Sequence, residues 1–221
     1  TGSVLREISD GYRPVRGQAA GTIDTPLDLD TLSGALRADV ALTNDTALSL
    51  RASAYDEARG SGLDGARSTA SGQLYSATLA RNPSTDHFGW RAQVWRSESD
   101  FSNTSVAVDA DRNGGRAAND QFATPAEGWG LNLALRQTAL DLAGGRLEIE
   151  YGADGRFNRG ETNERFRNLG AGFTRGRVAG GETSVIGAYV DGSWSRDRWL
   201  VAGGLRLDGW ESRDGRRLET D

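Results

Sequence analysis

From Thr31 to Trp210 the chain repeats one pattern: runs in which every second residue is apolar, separated by turns. In TLSGALRADVAL (Thr31–Leu42), Leu32, Gly34, Leu36, Ala38, Val40 and Leu42 share one side, against Ser33, Ala35, Arg37, Asp39 and Ala41 on the other. A period of two puts alternate side chains on opposite faces of a β-strand, whereas a helix would scatter them round its circumference. After the turn TND, Leu48, Leu50, Ala52 and Ala54 oppose Ser49, Arg51, Ser53 and Tyr55, so the two runs read as a tight hairpin.

The same alternation recurs. Phe88, Trp90, Ala92 and Val94 oppose Arg91 and Gln93; Trp129, Leu131, Leu133 and Leu135 oppose Asn132 and Arg136; Leu147, Ile149, Tyr151 and Ala153 oppose Glu148, Glu150, Asp154 and Arg156. Around Gly72–Ala80 the better apolar face is Tyr75, Ala77 and Leu79. The last pair joins Ile186, Ala188 and Val190 to Trp199, Val201, Leu205 and Leu207. The count is eight strands plus a partial one at Ser3–Ser9. Connections 43–45, 81–87, 138–145 and 195–198 are short, while 10–30, 58–69, 99–127 and 158–181 read as long loops, and the two kinds alternate strictly.

Such alternation fits an all-β, up-and-down antiparallel transmembrane β-barrel, with short turns on one side of the membrane and long loops on the other. The apolar faces are Leu, Ala, Val and Gly in mid-strand, with Phe88, Trp90, Trp194 and Trp199 beside the short turns, where rings favour a lipid–water boundary. Arg37, Asp39, Arg51, Arg91, Arg136, Glu148, Glu150, Arg156, Arg206 and Asp208 would then line the lumen. A soluble antiparallel sheet with one face on a core gives the same alternation. No run approaches the roughly 20 apolar residues of a membrane helix, but a spanning strand needs only about 9 to 11.

Four stretches together resemble the middle of the barrel of a TonB-dependent outer-membrane receptor. They are WLVAGGLRLDGW (Trp199–Trp210), with a G-x-R-x-D core at Gly204, Arg206 and Asp208; AGGETSVIGAYVDGSW before it; DQFATPAEGWGLNLALR (Asp120–Arg136); and LRASAYDEARGSG (Leu50–Gly62). The resemblance covers most of residues 31 to 210. It implies that residues 1–221 are an internal segment, with no plug domain, of a larger barrel of 22 strands in the bacterial outer membrane. Such a receptor imports a scarce nutrient such as a ferric siderophore, with energy delivered by the TonB complex through the plug. Its partners would be outer-membrane lipid, that complex and a small chelate.

Composition narrows the alternatives. All 26 basic residues are arginine, scattered along a chain of net charge −5, which argues against nucleic acid as a partner; cysteine is absent, so disulfide and thiol chemistry are too. Arg112, Arg116, Asn119, Arg159, Arg165 and Arg167, in the two longest expected loops, are candidate donors to an anionic chelate. DADRNGGRAAND spaces Asp109, Asp111, Asn113 and Asp120 as oxygen ligands around Gly114, a calcium-loop pattern with aspartate in place of the closing glutamate. No other cofactor is expected. The lone His87 reads as a surface-turn residue. Glu148 and Glu150 read as lumen charges, with a carboxylate pair for acid–base work as the lesser reading. Transport is thus favoured over two rivals, a small outer-membrane barrel enzyme and a soluble all-β carbohydrate-binding domain.

Overall fold

The computed structural model describes residues 1–84 and 87–221, and they form a single antiparallel sheet. In chain order the strands are β1 (Gly2–Ser9), β2 (Leu29–Ala41), β3 (Thr46–Gly60), β4 (Arg67–Arg81), β5 (Gly89–Val108), β6 (Gly115–Ala123), β7 (Ala126–Arg136), β8 (Leu140–Leu142), β9 (Gly145–Asn168), β10 (Phe173–Arg196) and β11 (Trp199–Thr220). Each strand pairs with its neighbour in sequence, with one refinement. β6 and β7 both lie between β5 and β9, one above the other. They form one long strand interrupted at Thr124–Pro125, where proline has no N–H to give the ladder. Leaving aside the short arm β8, nine strands cross the sheet, the eight expected plus the partial one at the N-terminus.

The register carries the alternation across the whole sheet. Val40, Leu48, Leu79, Ala92, Leu133, Ala153, Ala188 and Leu207 stand side by side on eight successive strands, β2 to β11, and form an unbroken apolar row. One residue along, on the opposite face, the row is Asp39, Ser49, Thr78, Gln93, Asn132, Asp154, Gly187 and Asp208. A slip of one residue in any strand would interrupt both rows, so burying one face selects the register.

The apolar belt has aromatic edges. On the short-turn side stand Trp90, Trp194 and Trp199; on the other side Tyr75, Trp129 and Phe157 share a row with Arg96. Next comes an ionic row, Glu98–Glu127–Arg159–Glu182–Arg213. Trp129 keeps its ring in the belt and donates its indole N–H to Glu127 at 2.9 Å. Trp210 has the parity of Arg206 and Asp208 and lies on the charged face.

Three of the expected long loops are largely strand. β5 runs to Val108, β9 to Asn168 and β10 from Phe173, leaving connections of only 61–66, 109–114 and 169–172. Strands of 24 residues reach about 80 Å at ~3.3 Å per residue, well beyond what crosses a bilayer. Above the belt both faces are polar, so apolar periodicity ends there while the backbone ladder continues. Cross-strand pairs such as Thr69–Ser102 (2.7 Å) and Arg165–Asp120 (2.6 Å) take over its role. Only 10–28 remains a long connection, holding one 3-10 turn at Gly17–Ala19. Among the described residues no helix is long and apolar enough to cross a membrane. Among the described residues the buried apolar ones are Ile23, Ala66 and Ala134, so these residues enclose no core of their own.

A charged wall and a set of locked hairpin tips

On the charged face, large side chains lie across glycines of the neighbouring strand. Trp95 covers Gly130, Tyr189 covers Gly152, and Tyr55 covers Gly72. The G-x-R-x-D core works in the same way. Gly204 leaves room for the Asp191 carboxylate, and Gly187 leaves a trough across β10 in which the Arg206 guanidinium lies. Arg206 thereby reaches Asp154 two strands away with a pair of hydrogen bonds at 2.7 and 3.1 Å, and meets Asp208 at 2.7 Å. Tyr189 donates to Glu150 at 3.0 Å, Glu150 pairs with Arg136 at 3.2 Å, and Arg91 donates to Asn132 at 3.1 Å. Glu148 is held by Arg146 at 3.0 Å. Each member of the Glu148/Glu150 pair is therefore tied to its own arginine, which favours a fixed wall of opposite charges over a shared proton.

The six expected chelate donors do not converge. The strand alternation that continues through β9 gives Arg159, Arg165 and Arg167 the parity of the belt, away from the charged face. Arg159 pairs with Glu127 at 2.9 Å, Arg165 with Asp120 while packing over the Phe122 ring, and Arg167 is exposed one residue before the end of β9, with φ 60°. Arg116 is exposed at the start of β6, opposite Ala107. Asn119 takes the other parity, beside Phe166, and its Oδ1 is buried with no hydrogen-bond partner among the described residues. Arg112 sits in the 109–114 turn and is spent on Asp24. Reading these stretches as loops hid the parity that separates them.

The four residues of the calcium-loop pattern are divided between the 109–114 turn and β6. Asp120 lies within β6 on Arg165, not over the turn, while Asn113 accepts a hydrogen bond from the Thr22 amide at 3.3 Å. Among the described residues no group of three His, Asp or Glu side chains is placed to hold a metal. His87 lies in the connection before β5, its Nε2 3.0 Å from Asp45. Thr85 and Asp86 of the same turn lie outside the described residues. Asp45 also accepts from Thr43 and Arg81, and these bonds hold its carboxyl well below the usual range.

Two features had no clear signal in the sequence. At the long-strand end of the charged face, Arg177 joins Glu164 and Glu219 and stacks on Phe166, 5.0 Å from the ring centre. Carrying the β10 alternation upward from Tyr189 would have found it. Asp24 is almost wholly buried at the hairpin tips, where the bonds from Arg112, and then from the Gly21 amide, hold its carboxyl down to about 2. Its segment has no periodicity to reveal that burial.

No protein-family model matches the chain, and no curated protein does. Among solved structures it is similar to FpvAI in its complex with pyocin S2, with TM-score 0.73 and 12% identity over 99% of this chain and 33% of that one. It is also similar to Pseudomonas aeruginosa FpvA bound to a heterologous pyoverdine with iron, with TM-score 0.66 and 12% identity over 91% of this chain and 34% of that one. The chain thus spans about a third of the length of these structures, and at this identity the likeness establishes the fold.

Proposed function

We propose that the chain is a section of the barrel wall of a TonB-dependent outer-membrane receptor that takes up a scarce nutrient as an anionic chelate such as a ferric siderophore. The observation that carries this is the unbroken apolar row from Val40 to Leu207, backed one residue away by a row that is polar except at Gly187. A sheet with lipid on one side and a watery lumen on the other requires both. The fold likeness supports the reading, since FpvA is the partner of pyocin S2 in one structure and of iron-loaded pyoverdine in the other. Here the belt would face lipid, the Arg206–Asp154–Asp208 wall would face the lumen, and the tips at 10–28, 61–66, 109–114 and 169–172 would face outward. Further strands would have to continue from the free edges of β1 and β11 to close the cylinder, because unpaired backbone is not tolerated in hydrocarbon. Coupling to TonB would come through a plug outside these residues.

The wall's role is to conduct and orient, not to react: its guanidiniums and carboxylates neutralise one another in fixed pairs and leave a polar, hydrated surface. Fractionation and uptake test the proposal together. The protein containing this segment should sediment with outer membranes, resist extraction without detergent, and support growth on a ferric chelate only when TonB is present. A soluble protein, or chelate-dependent growth unchanged by its deletion across a panel of siderophores, would overturn the reading.

A further inference from the structure

The side chain most completely buried among the described residues belongs to an acid: Asp24, 2% exposed. It sits in the 10–28 connection, among the hairpin tips at the end of the sheet away from the short turns. Its carboxylate accepts from the Gly21 amide at 2.8 Å and from Arg112 through Nε at 3.0 Å and through Nη2. Arg112 belongs to the β5–β6 turn, with φ 57°, so the pair fastens the connection to that hairpin.

Backbone bonds fasten it on both sides. The Ile23 amide donates to the Arg112 carbonyl at 3.2 Å, and the Thr22 hydroxyl donates to the Asn113 carbonyl at 2.9 Å. Toward the β3–β4 hairpin, the Asp64 amide donates to the Ile23 carbonyl at 2.8 Å and the Thr25 amide to the Gly62 carbonyl at 3.1 Å. Ile23 itself is buried against Gly115, where any Cβ would collide with it, and Gly21 fits only because it has no Cβ to strike the Arg112 carbonyl. The surrounding segments carry glycines in the left-handed region, Gly11 and Gly17 in the connection and Gly62 and Gly65 in the β3–β4 tip, positions at which the chain can pivot.

We infer that residues 10–28 are a strap that locks the β3–β4 tip (61–66) and the β5–β6 tip (109–114) into one unit, with Asp24 and Arg112 as its latch. These three segments open together or not at all. The ion pair between buried Asp24 and half-buried Arg112, one buried isoleucine and these backbone bonds hold all three, and breaking the pair at Arg112 leaves the buried carboxylate without compensation, so partial opening is disfavoured. The lock rests on tip geometry and does not depend on the transport proposal.

Hydrogen–deuterium exchange on the full-length protein tests it, comparing wild type, Asp24→Asn and Arg112→Ala. In either variant, amides of 21–27, 61–66 and 109–114 should exchange faster together, by about tenfold or more, since a lost hydrogen bond to a charged group is worth at least that factor. Amides in the β2–β3 belt should not change. The double variant should exchange no faster than the faster single one. Acceleration confined to the segment carrying the substitution, or additive effects, would overturn the proposal. If Asp24→Asn disturbs folding, a Thr22→Cys/Asn113→Cys disulfide in the otherwise cysteine-free chain replaces the latch covalently. With Arg112→Ala in that background, wild-type exchange should return in all three segments; recovery only near the disulfide would refute the lock.

Discussion

Alanine at Gly130 should be costly while alanine at Gly203 should be harmless, although both are glycines within strands of one sheet, β7 and β11. A Cβ at Gly130 falls inside the Trp95 indole, whereas one at Gly203 meets nothing within 4 Å. In Gly130→Ala the ring must leave its place over the glycine. If a third of a ring face of ~200 Å² comes off the sheet, the loss is about 1.5 kcal/mol at ~25 cal/mol/Å². Strain in a displaced rotamer adds ~0.5 to 1.5 kcal/mol, giving roughly 2 to 3 kcal/mol in all. Gly203→Ala should change stability by no more than ~0.5 kcal/mol, or stabilise slightly by restricting the unfolded chain. The assay is reversible urea unfolding in lipid vesicles, followed by circular dichroism so that removing a tryptophan does not alter the probe. In a Trp95→Ala background the cost of Gly130→Ala should nearly vanish, because the colliding ring is gone. A Gly130→Ala cost that persists undiminished without Trp95 would refute the argument.

Other consequences follow from the same geometry. Leu133 lies six residues below Glu127, ~20 Å along a strand and about 14 Å deep at ~45° tilt, near the middle of a belt some 25 Å tall. Leu133→Arg should therefore cost ~2 to 4 kcal/mol in vesicle unfolding. Asn132→Asp, one residue away on the charged face beside Arg91, should stay within about 1 kcal/mol, since an exposed pair contributes little. Arg206→Lys should break the bridge over Gly187, because an ammonium cannot bind Asp154 by two parallel bonds; the unfolding midpoint in vesicles should fall, and fall less in Asp208→Asn. The depressed carboxyl of Asp24 makes the strap acid-sensitive. Because its folded pKa lies below its unfolded one, its stabilisation is complete above about pH 4 and is lost as pH falls toward about 2. Proteolysis within 10–28 by an acid-stable protease should rise over that interval in wild type and not in Asp24→Asn.

The fold was legible where one face of a strand is apolar and the other polar. Leu32 to Val40, Leu48 to Ala54 and Leu131 to Leu135 announce both strand and orientation, because burial of one face demands a period of two. It was not legible from Ser99 to Val108 or from Glu161 to Asn168, where neither face is consistently apolar and the backbone ladder with polar cross-strand pairs maintains the strand. The expected loops shortened there into turns. The site was hidden for the same reason: Arg159 and Arg165 read as loop donors, whereas strand parity puts them on the belt's face and Arg177 on the charged one. The ten charges from Arg37 to Asp208 were legible as one face of the sheet, since each sits beside an apolar neighbour that fixes its side. Asp24 was hidden for another reason: its burial depends on a turn 88 residues away, and no local pattern encodes that.

In the proposed receptor, one face of this sheet would meet lipid and the other water. The chain contains no cysteine, so single cysteines can be placed from Leu131 to Arg136, spin-labelled, and examined in bilayers by collision with oxygen and with a water-soluble nickel chelate. Leu131, Leu133 and Leu135 should favour oxygen, and Asn132, Ala134 and Arg136 should favour the nickel chelate or be shielded from both. Loss of that alternation, or nickel access at Leu133 equal to that at Asn132, would contradict the account.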